Sequence, residues 1–445
     1  MEDDWLSEMA RDGYLRLRAG DPALHDMLAR EYRRQSGTLS LVASSSLTSA
    51  SSLAALSSVL ANVTAEGYPG GRYHAGCEVV DEIERLAVER AKSLFGADYA
   101  NVQPHSATTA NFTALSSLLR PGDTILGMAL SEGGHLTHGS PVSFSGQYFN
   151  PVTYGTTADG LIDYEQVSDL AGSLRPKLII CGATTYPREI DFGRFREIAD
   201  AVGAYLLADI SHTAGLVAAG LHQSPINRAH LTTTCTHKQL FGPRGGMIMS
   251  GRDSGTATPS GTLAGHLNRA VFPFSQGAPA VNTIAAKAAA LGEALQPAFA
   301  QTMRLITETA HAMAVRLMNY GYNVVSGGTG NHIVLIDLTS QEISGLVAER
   351  ALEECLIIVN KNRIRGDHRP PSIASGIRIG TNTIAQRGMS ASAAESCADL
   401  IHFVLSDLKP AGDKNYYLAA STREKVRTRV RELCAAHPIE GAADL

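Results

Sequence analysis

No run in the 445-residue sequence approaches the roughly 20 apolar residues that span a bilayer, and the start, MEDDWLSEMARDG, is acidic with no apolar stretch of a secretory leader. A cytoplasmic location is expected, with no membrane partner. No CxxC pair occurs among the six cysteines (Cys77, Cys181, Cys235, Cys355, Cys397, Cys434), so neither a disulfide framework nor a zinc site is indicated and no metal is expected. They read as small buried apolar residues. Charge of one sign is not in excess: 38 Lys+Arg against 43 Asp+Glu leave a net −5, which gives no general attraction to nucleic acid or anionic lipid. Only TREKVRTRVREL is locally basic, and its Val426, Val430 and Leu433 predict a terminal helix with a solvated face. Repeats and low-complexity linkers are missing too. The serine-rich SLVASSSLTSASSLAALSS carries Leu53, Leu56 and Val59, which predict a helix after Ser49 rather than a tether.

What is present is the composition of an ordinary globular protein, 44% hydrophobic and 18% charged, long enough for two or three lobes. VDEIERLAVERAKSLFG puts Ile83, Leu86, Ala87, Ala91 and Leu94 on one helical face, with Gly96 where a C-terminal cap belongs. Short apolar runs (ANVQ, TILGM, KLIICG, AYLLAD, GGMIMS) and the β-branched Leu231 to Thr236 then alternate with helix-like stretches such as FREIADAVG. That alternation predicts an α/β domain with a mainly parallel sheet, whose ligand site lies beyond the carboxyl ends of the strands. After Pro279 the chain turns alanine-rich and helical, then restarts as a smaller mixed pattern (GYNVVSGG, HIVLIDL, GIRIGT). The expected division is an arm over 1–52, a large domain over 53–292 and a small α+β domain over 293–445.

Asp209 directly follows AYLLA, and Lys238 in THKQLFGPRGG follows the next strand, so both should emerge on one rim of the sheet. An ion pair is the plain reading. The chemical one is that a desolvated amine condenses with a carbonyl cofactor while a carboxylate fixes a proton on a pyridine nitrogen, which is what pyridoxal 5′-phosphate requires. A phosphate cradle is offered by QPHSATTANFTALSSLL, in which Ser106, Ala107 and Thr108 open a helix; the same residues also serve as simple caps. His135 in SEGGHLTHG and His212 in DISHTAG are candidates to flank the cofactor ring, or else structural histidines. Arg378 in SGIRIGT suits a bidentate clamp on an amino-acid carboxylate, or else lies on the surface.

With those residues assembled, the chain resembles serine hydroxymethyltransferase, a fold-type I pyridoxal phosphate enzyme. AEGYPGGRYHAGCEVVDEIE, GADYANVQPHS, GGHLTHGSPVSFSG, GLVAAGLH, THKQLFGPRGG, VSGGTGNH and SGIRIGT carry the resemblance, which runs from about residue 35 to 410. It implies a seven-stranded, mainly parallel large-domain sheet and cofactor attachment at Lys238. It also implies Asp209 on the pyridine nitrogen, His135 stacked on the ring, and His212 near the phenolic oxygen, with Thr184 among the cofactor residues. Ser106, Ala107, Thr108, His237 and Gly277 are implied for the phosphate, and Arg378 and Ser44 for the substrate carboxylate. Glu66 is the implied acid/base group, donated with its neighbours by the other subunit of an obligate dimer. Glu66, Tyr73, Leu130, Gly134 and Asn362 match folate positions, so the implied cosubstrate is 5,10-methylenetetrahydrofolate.

Departures from the family pattern cluster at the substrate. Thr64 and His74 stand where the family has tyrosines, Ser45 and Ser46 replace an acidic residue and asparagine, and Ala107, Phe274, Ser275 and Ala278 replace glycines. Loss of a ring at position 64 opens space unless a side chain such as Phe274 repacks into it. The family adds its hydroxymethyl group where glycine's pro-S hydrogen was; a methyl in place of the remaining hydrogen makes the acceptor D-alanine and the product α-methyl-L-serine. His74 is the expected heir to the missing phenol's proton handling. Ordinary glycine/serine transfer is the alternative acceptor chemistry. A folate-independent threonine aldolase or transaldolase would share Lys238, Asp209 and Arg378 without needing Glu66, Tyr73 and Asn362. A catalytically silent homologue need keep none of them.

Overall fold

The computed structural model describes residues 5–258 and 261–439, so residues 1–4 of the acidic start lie outside the described residues. The apolar runs build a central sheet from β1 (Tyr99–Asn101), β2 (Thr124–Met128), β3 (Asn150–Tyr154), β4 (Leu178–Cys181), β5 (Tyr205–Asp209), β6 (Leu231–Cys235) and β7 (Gly246–Ser250). Their seven-stranded order is β1-β7-β6-β5-β4-β2-β3. All steps from β6 to β3 are parallel, and β7 runs antiparallel to both its neighbours. Strands β4, β6 and β7 are buried along their whole length, which is why they read as unbroken runs rather than as alternation. Successive residues serve opposite cores: Leu126, Ile179 and Leu206 face one layer, and Ile125, Leu178 and Leu207 the other. Edge strand β3 escaped the sequence reading because Asn150, Pro151 and Thr153 break its apolar pattern, and proline is tolerated at an edge.

Helix α1 (Glu78–Phe95) ends on left-handed Gly96 as expected, but its buried face is rotated: Ala87 and Ala91 are buried, whereas Leu86 is 41% exposed. The cause lies in Arg72, whose buried guanidinium pairs with Asp81 at 2.8 Å and Glu84 at 2.5 Å. A buried cation needs its carboxylates close, so both acids turn inward in place of Leu86. Helix α2 (Ala107–Leu118) follows β1. Helices α3 (Val281–Ala294) and α4 (Pro297–Asn319) lead toward the second sheet.

That sheet, β8 (Asn323–Val324), β9 (Ile333–Asp337), β10 (Asn360–Asn362) and β11 (Gly376–Gly380), is antiparallel in the order β8-β9-β11-β10. Phe299, Met303 and Ile306 of α4 pack in the large core and Ala310, Met313 and Leu317 in the small one, so the two cores meet inside one helix. Leu39 and Leu41 from the N-terminal segment also lie in the small core, and Leu39–Ser40 pairs with Ile357–Ile358. Helix α5 (Ala420–Ala436) buries Val426 and Val430, and all six cysteines are free and buried. The helix after Ser49 forms over Ala50–Leu56, yet Leu53 is 53% exposed. Among the described residues no helix is long and apolar enough to cross a membrane.

Candidate active site

The carboxyl ends of β5 and β6 are adjacent, and Asp209, the last residue of β5, is in register with Thr233. Asp209 is buried at 8% exposure. Its Oδ1 accepts the Ser211 N–H (3.0 Å) and hydroxyl (2.6 Å); its Oδ2 accepts the Asn111 amide (2.8 Å) and lies 3.0 Å from His138 Nε2. Asn111 is held in turn by the Thr233 hydroxyl at 2.6 Å. Burial works against ionisation of Asp209, but the His138 bond, the neighbouring His135 and the Ser211 donor outweigh it and hold the carboxyl well below its usual range. His135, His138 and Asp209 have the mutual spacing of a metal site. Here the same atoms serve to orient a carboxylate: His135 Nδ1 lies 2.7 Å from the Thr137 hydroxyl, and both Asp209 oxygens already have donors.

Lys238 stands three residues beyond β6. The side chain as a whole is half-buried, but the amine is desolvated, which lowers its pKa. Among the described residues its Nζ makes no hydrogen bond or ion pair. Buried His212 stacks on His332, with centroids 5.7 Å apart and planes at 15°. Burial keeps His212 neutral and pushes His135 and His237 down to about 4. The Nδ1 atoms of His212 and His237 are buried without a protein partner.

Helix α2 opens at Ala107. The Ser106 hydroxyl accepts the Thr109 N–H at 3.0 Å, so its capping role is realised, while the N–H groups at the head of the helix stay free for an anion. β7 passes so close that a Cβ at Gly246 would sit 2.2 Å from the Ser106 carbonyl oxygen, which only glycine allows. Arg378 projects from β11, donating to the Thr184 carbonyl (2.7 Å) and Asn360 Oδ1 (3.0 Å); burial pushes its pKa down to about 10. The Thr184 hydroxyl donates to the Gly133 and Gly134 carbonyls (3.1 and 2.9 Å), tying the His135 turn to Arg378. Half-buried Ser44 follows Ala43, whose carbonyl accepts His332 Nε2 and Asn382 Nδ2, each at 3.2 Å. Ser46 donates to the His237 carbonyl at 2.7 Å. Leu130 is exposed in the turn before Gly134, and Asn362 on β10 donates to the Arg363 carbonyl at 2.6 Å.

A second group gathers elsewhere on the chain. Tyr73 N–H donates to the Glu66 carbonyl (3.1 Å), and the Tyr73 ring lies 5.6 Å from that of Phe272. A Cβ at Gly277 would sit 3.3 Å from Glu66 Oε1, so Gly277 stands with Glu66. Thr64, Tyr73, His74 and Gly277 are exposed, and Glu66 is half-buried. Phe274 stacks on Phe112, with centroids 6.1 Å apart, and Ser275 bonds Thr113 at 2.9 Å. Among the described residues no hydrogen bond or ring contact joins this group to Lys238, Asp209 or Arg378. Phe112 and Thr113 tie the group to α2, the helix that also carries Asn111 and opens at Ala107.

The sequence reading missed His138, Asn111 and Ser211. His138 was legible, three residues after His135 in GGHLTHGS, whereas Asn111 is one of six polar residues in ATTANFTALSSL and carries no local signal.

Orphaned imidazole nitrogens, an unpaired desolvated amine beside an ionised buried carboxylate, and a helix N-terminus approached by glycine together fit pyridoxal phosphate. The family model for serine hydroxymethyltransferase matches residues 17–401. A serine hydroxymethyltransferase of Borrelia duttonii (strain Ly) is 50% identical over 394 residues, which are 87% of this chain and 94% of that protein. Identity at that level over that span leaves one assignment: the chain belongs to the serine hydroxymethyltransferase family.

Proposed function

We propose that this hydroxymethyltransferase moves a one-carbon unit from 5,10-methylenetetrahydrofolate to the α-carbon of a small amino acid. It takes D-alanine, giving α-methyl-L-serine, in preference to or alongside glycine. The enzyme class, pyridoxal phosphate and tetrahydrofolate come with the family. Bound at Lys238, pyridoxal phosphate supplies the electron sink for bond breaking at Cα. The chain's own residues do the rest. Asp209, kept ionised by its donors, holds a proton on the pyridine nitrogen. Lys238, kept short of charge by burial, is the attachment point and a base. His135 and His212 flank the ring, and Ser106, Ala107, Thr108 and His237 receive the phosphate. Arg378 and Ser44 clamp the substrate carboxylate, with Thr184 fixing the arginine. Leu130, Gly134 and Asn362 line the folate side.

Glu66, Tyr73, His74 and Gly277 complete the site from a second subunit of a homodimer. The reading is supported by the 76% exposure of Tyr73 on the single chain. Trp5, Leu6, Leu15 and Met27, exposed apolar residues of the N-terminal helices, support the dimer as well. A cytoplasmic location belongs to the same proposal, supported by six buried cysteines none of which is paired in a disulfide.

One observation carries the acceptor. Phe274, the side chain weighed as the alternative filler of the space left at Thr64, is stacked on Phe112 and 66% exposed on the single chain, which supports the reading. The test is incubation with methylenetetrahydrofolate and either D-alanine or glycine. Turnover of D-alanine at least comparable to glycine supports the reading; glycine turning over far faster returns the chain to ordinary glycine/serine transfer. Cleavage of threonine without folate at a rate matching either would favour the aldolase.

A further inference from the structure

A second buried lysine lies outside the machinery just described. Lys287 on α3 is 1% exposed, and its Nζ donates to the carbonyls of Val102 (2.6 Å), Pro104 (2.9 Å) and Gly246 (2.9 Å). A neutral amine has two N–H groups and cannot satisfy three acceptors; an ammonium has three. The bonding therefore favours the charged state. Burial pushes its pKa down to about 7, and Glu84 on α1 pulls the other way while itself engaged by Arg72 and Gln103. The other charged or titratable groups facing it are His105 and Arg244, which line the small cavity beside it.

The three carbonyls belong to two segments that meet at this point. Val102 and Pro104 lead from β1 into Ser106 and the head of α2, and Gly246 closes the turn that begins after His237 and Lys238. Pro104 O also accepts the Gly246 N–H at 2.9 Å. The lysine stem needs its neighbour small: a Cβ at Gly245 would lie 2.2 Å from Lys287 Cε. Left without the ammonium, the Val102 and Gly246 carbonyls would lose this donor and Pro104 O would keep only the Gly246 N–H, a cost that loosens the contact between the two segments.

We propose that Lys287 is a positioning residue that holds the head of α2 against the Lys238 turn and so builds the phosphate cradle. The inference rests on the assignment of Ser106, Ala107 and Thr108 to the phosphate. Its test is the ratio of dissociation constants for pyridoxal and pyridoxal 5′-phosphate, measured on full-length protein freed of cofactor. A general loss of stability weakens both ligands alike, whereas a displaced cradle weakens only the phosphorylated one. In Lys287→Met the preference for the phosphorylated form is expected to fall at least about tenfold, the loss of one charge-assisted bond's worth of order. Lys287→Gln, which keeps two donors, is expected to lie between and decides the matter if the methionine variant does not fold. A ratio within about twofold of wild type in the folded variant overturns the proposal. A wild-type protein with no preference for the phosphate would instead overturn the cradle assignment itself.

Discussion

His138 Nε2 lies 3.0 Å from Asp209 Oδ2, and both side chains are buried. The carboxylate at the end of β5 is thus aimed by groups from three elements: His138, Asn111 on α2 and Ser211 just beyond the strand. A carboxylate so held stays charged and stays put, which a group meant to keep a proton on a cofactor must do.

Removing that orientation should cost rate more than binding. His138→Phe keeps the ring volume and loses a hydrogen bond to a buried charge, worth about 1.5–3 kcal/mol. The expected outcome in steady-state kinetics is a fall in kcat of about 10- to 100-fold with a smaller change in KM. An unchanged kcat would show that Asp209 needs no such support.

Acid should destabilise the protein earlier than its carboxylates alone would dictate. Burial lowers His135 to about 4 and His332 to about 3, from an ordinary 6.5. Below 6.5 the unfolded chain takes up protons that the folded chain refuses. Their contribution is therefore complete above 6.5 and is lost as pH falls toward 4 and then 3. Each costs about 1.4 kcal/mol per pH unit in that window. Asp209 acts lower: its depressed folded pKa keeps its contribution until the pH falls below the usual carboxylate range. Urea unfolding of cofactor-free protein should show a lower midpoint at about pH 5 than at about pH 7.5, and equal midpoints would rule this out.

The proposed room for an α-methyl group beside Thr64 predicts that a ring restored there shifts the acceptor preference toward glycine. Thr64→Tyr is expected to lower kcat/KM for D-alanine relative to glycine by about 10-fold or more, the discrimination one methyl group supports. A ratio that does not move would mean the methyl group is accommodated elsewhere.

The proposed sharing of the site between subunits predicts complementation. Lys238→Ala and Glu66→Gln each inactivate their own homodimer, but a hybrid carries one intact site formed from the sound half of each chain. Unfolded together and refolded, the mixture should recover about a quarter of wild-type activity, since half the dimers are hybrids with one good site of two. No recovery would place Glu66 and Lys238 in one chain's site.

Sequence periodicity made the sheet legible wherever strands are buried on both sides, as at Leu178–Cys181 and Gly246–Ser250, because such strands are continuous apolar text. It failed at Asn150–Tyr154, an edge strand with a proline, and at Leu86, displaced by a buried ion cluster whose partner Arg72 lies outside the helix. Asp209 and Lys238 drew notice in the sequence because charged residues just beyond buried strands are rare and fall at predictable places, and Arg378 because it interrupts the apolar text of a strand. Asn111 was not legible, since it acquires meaning only when α2 packs on β6 and β7 and meets Asp209 there, and Ser211, two residues after Asp209, reads as an ordinary turn serine. Nor was Lys287, which in IAAKAAAL reads as an ordinary solvated helix position and is in fact sealed against three carbonyls.

The account stands on Lys238 as the residue that carries pyridoxal phosphate. Reduction of the cofactor-saturated protein with borohydride, followed by digestion and mass spectrometry, tests this directly. The phosphopyridoxyl group should be found on the peptide containing Lys238 and be lost in Lys238→Ala. Its absence there, or its recovery on another lysine such as Lys287, would contradict the site as described.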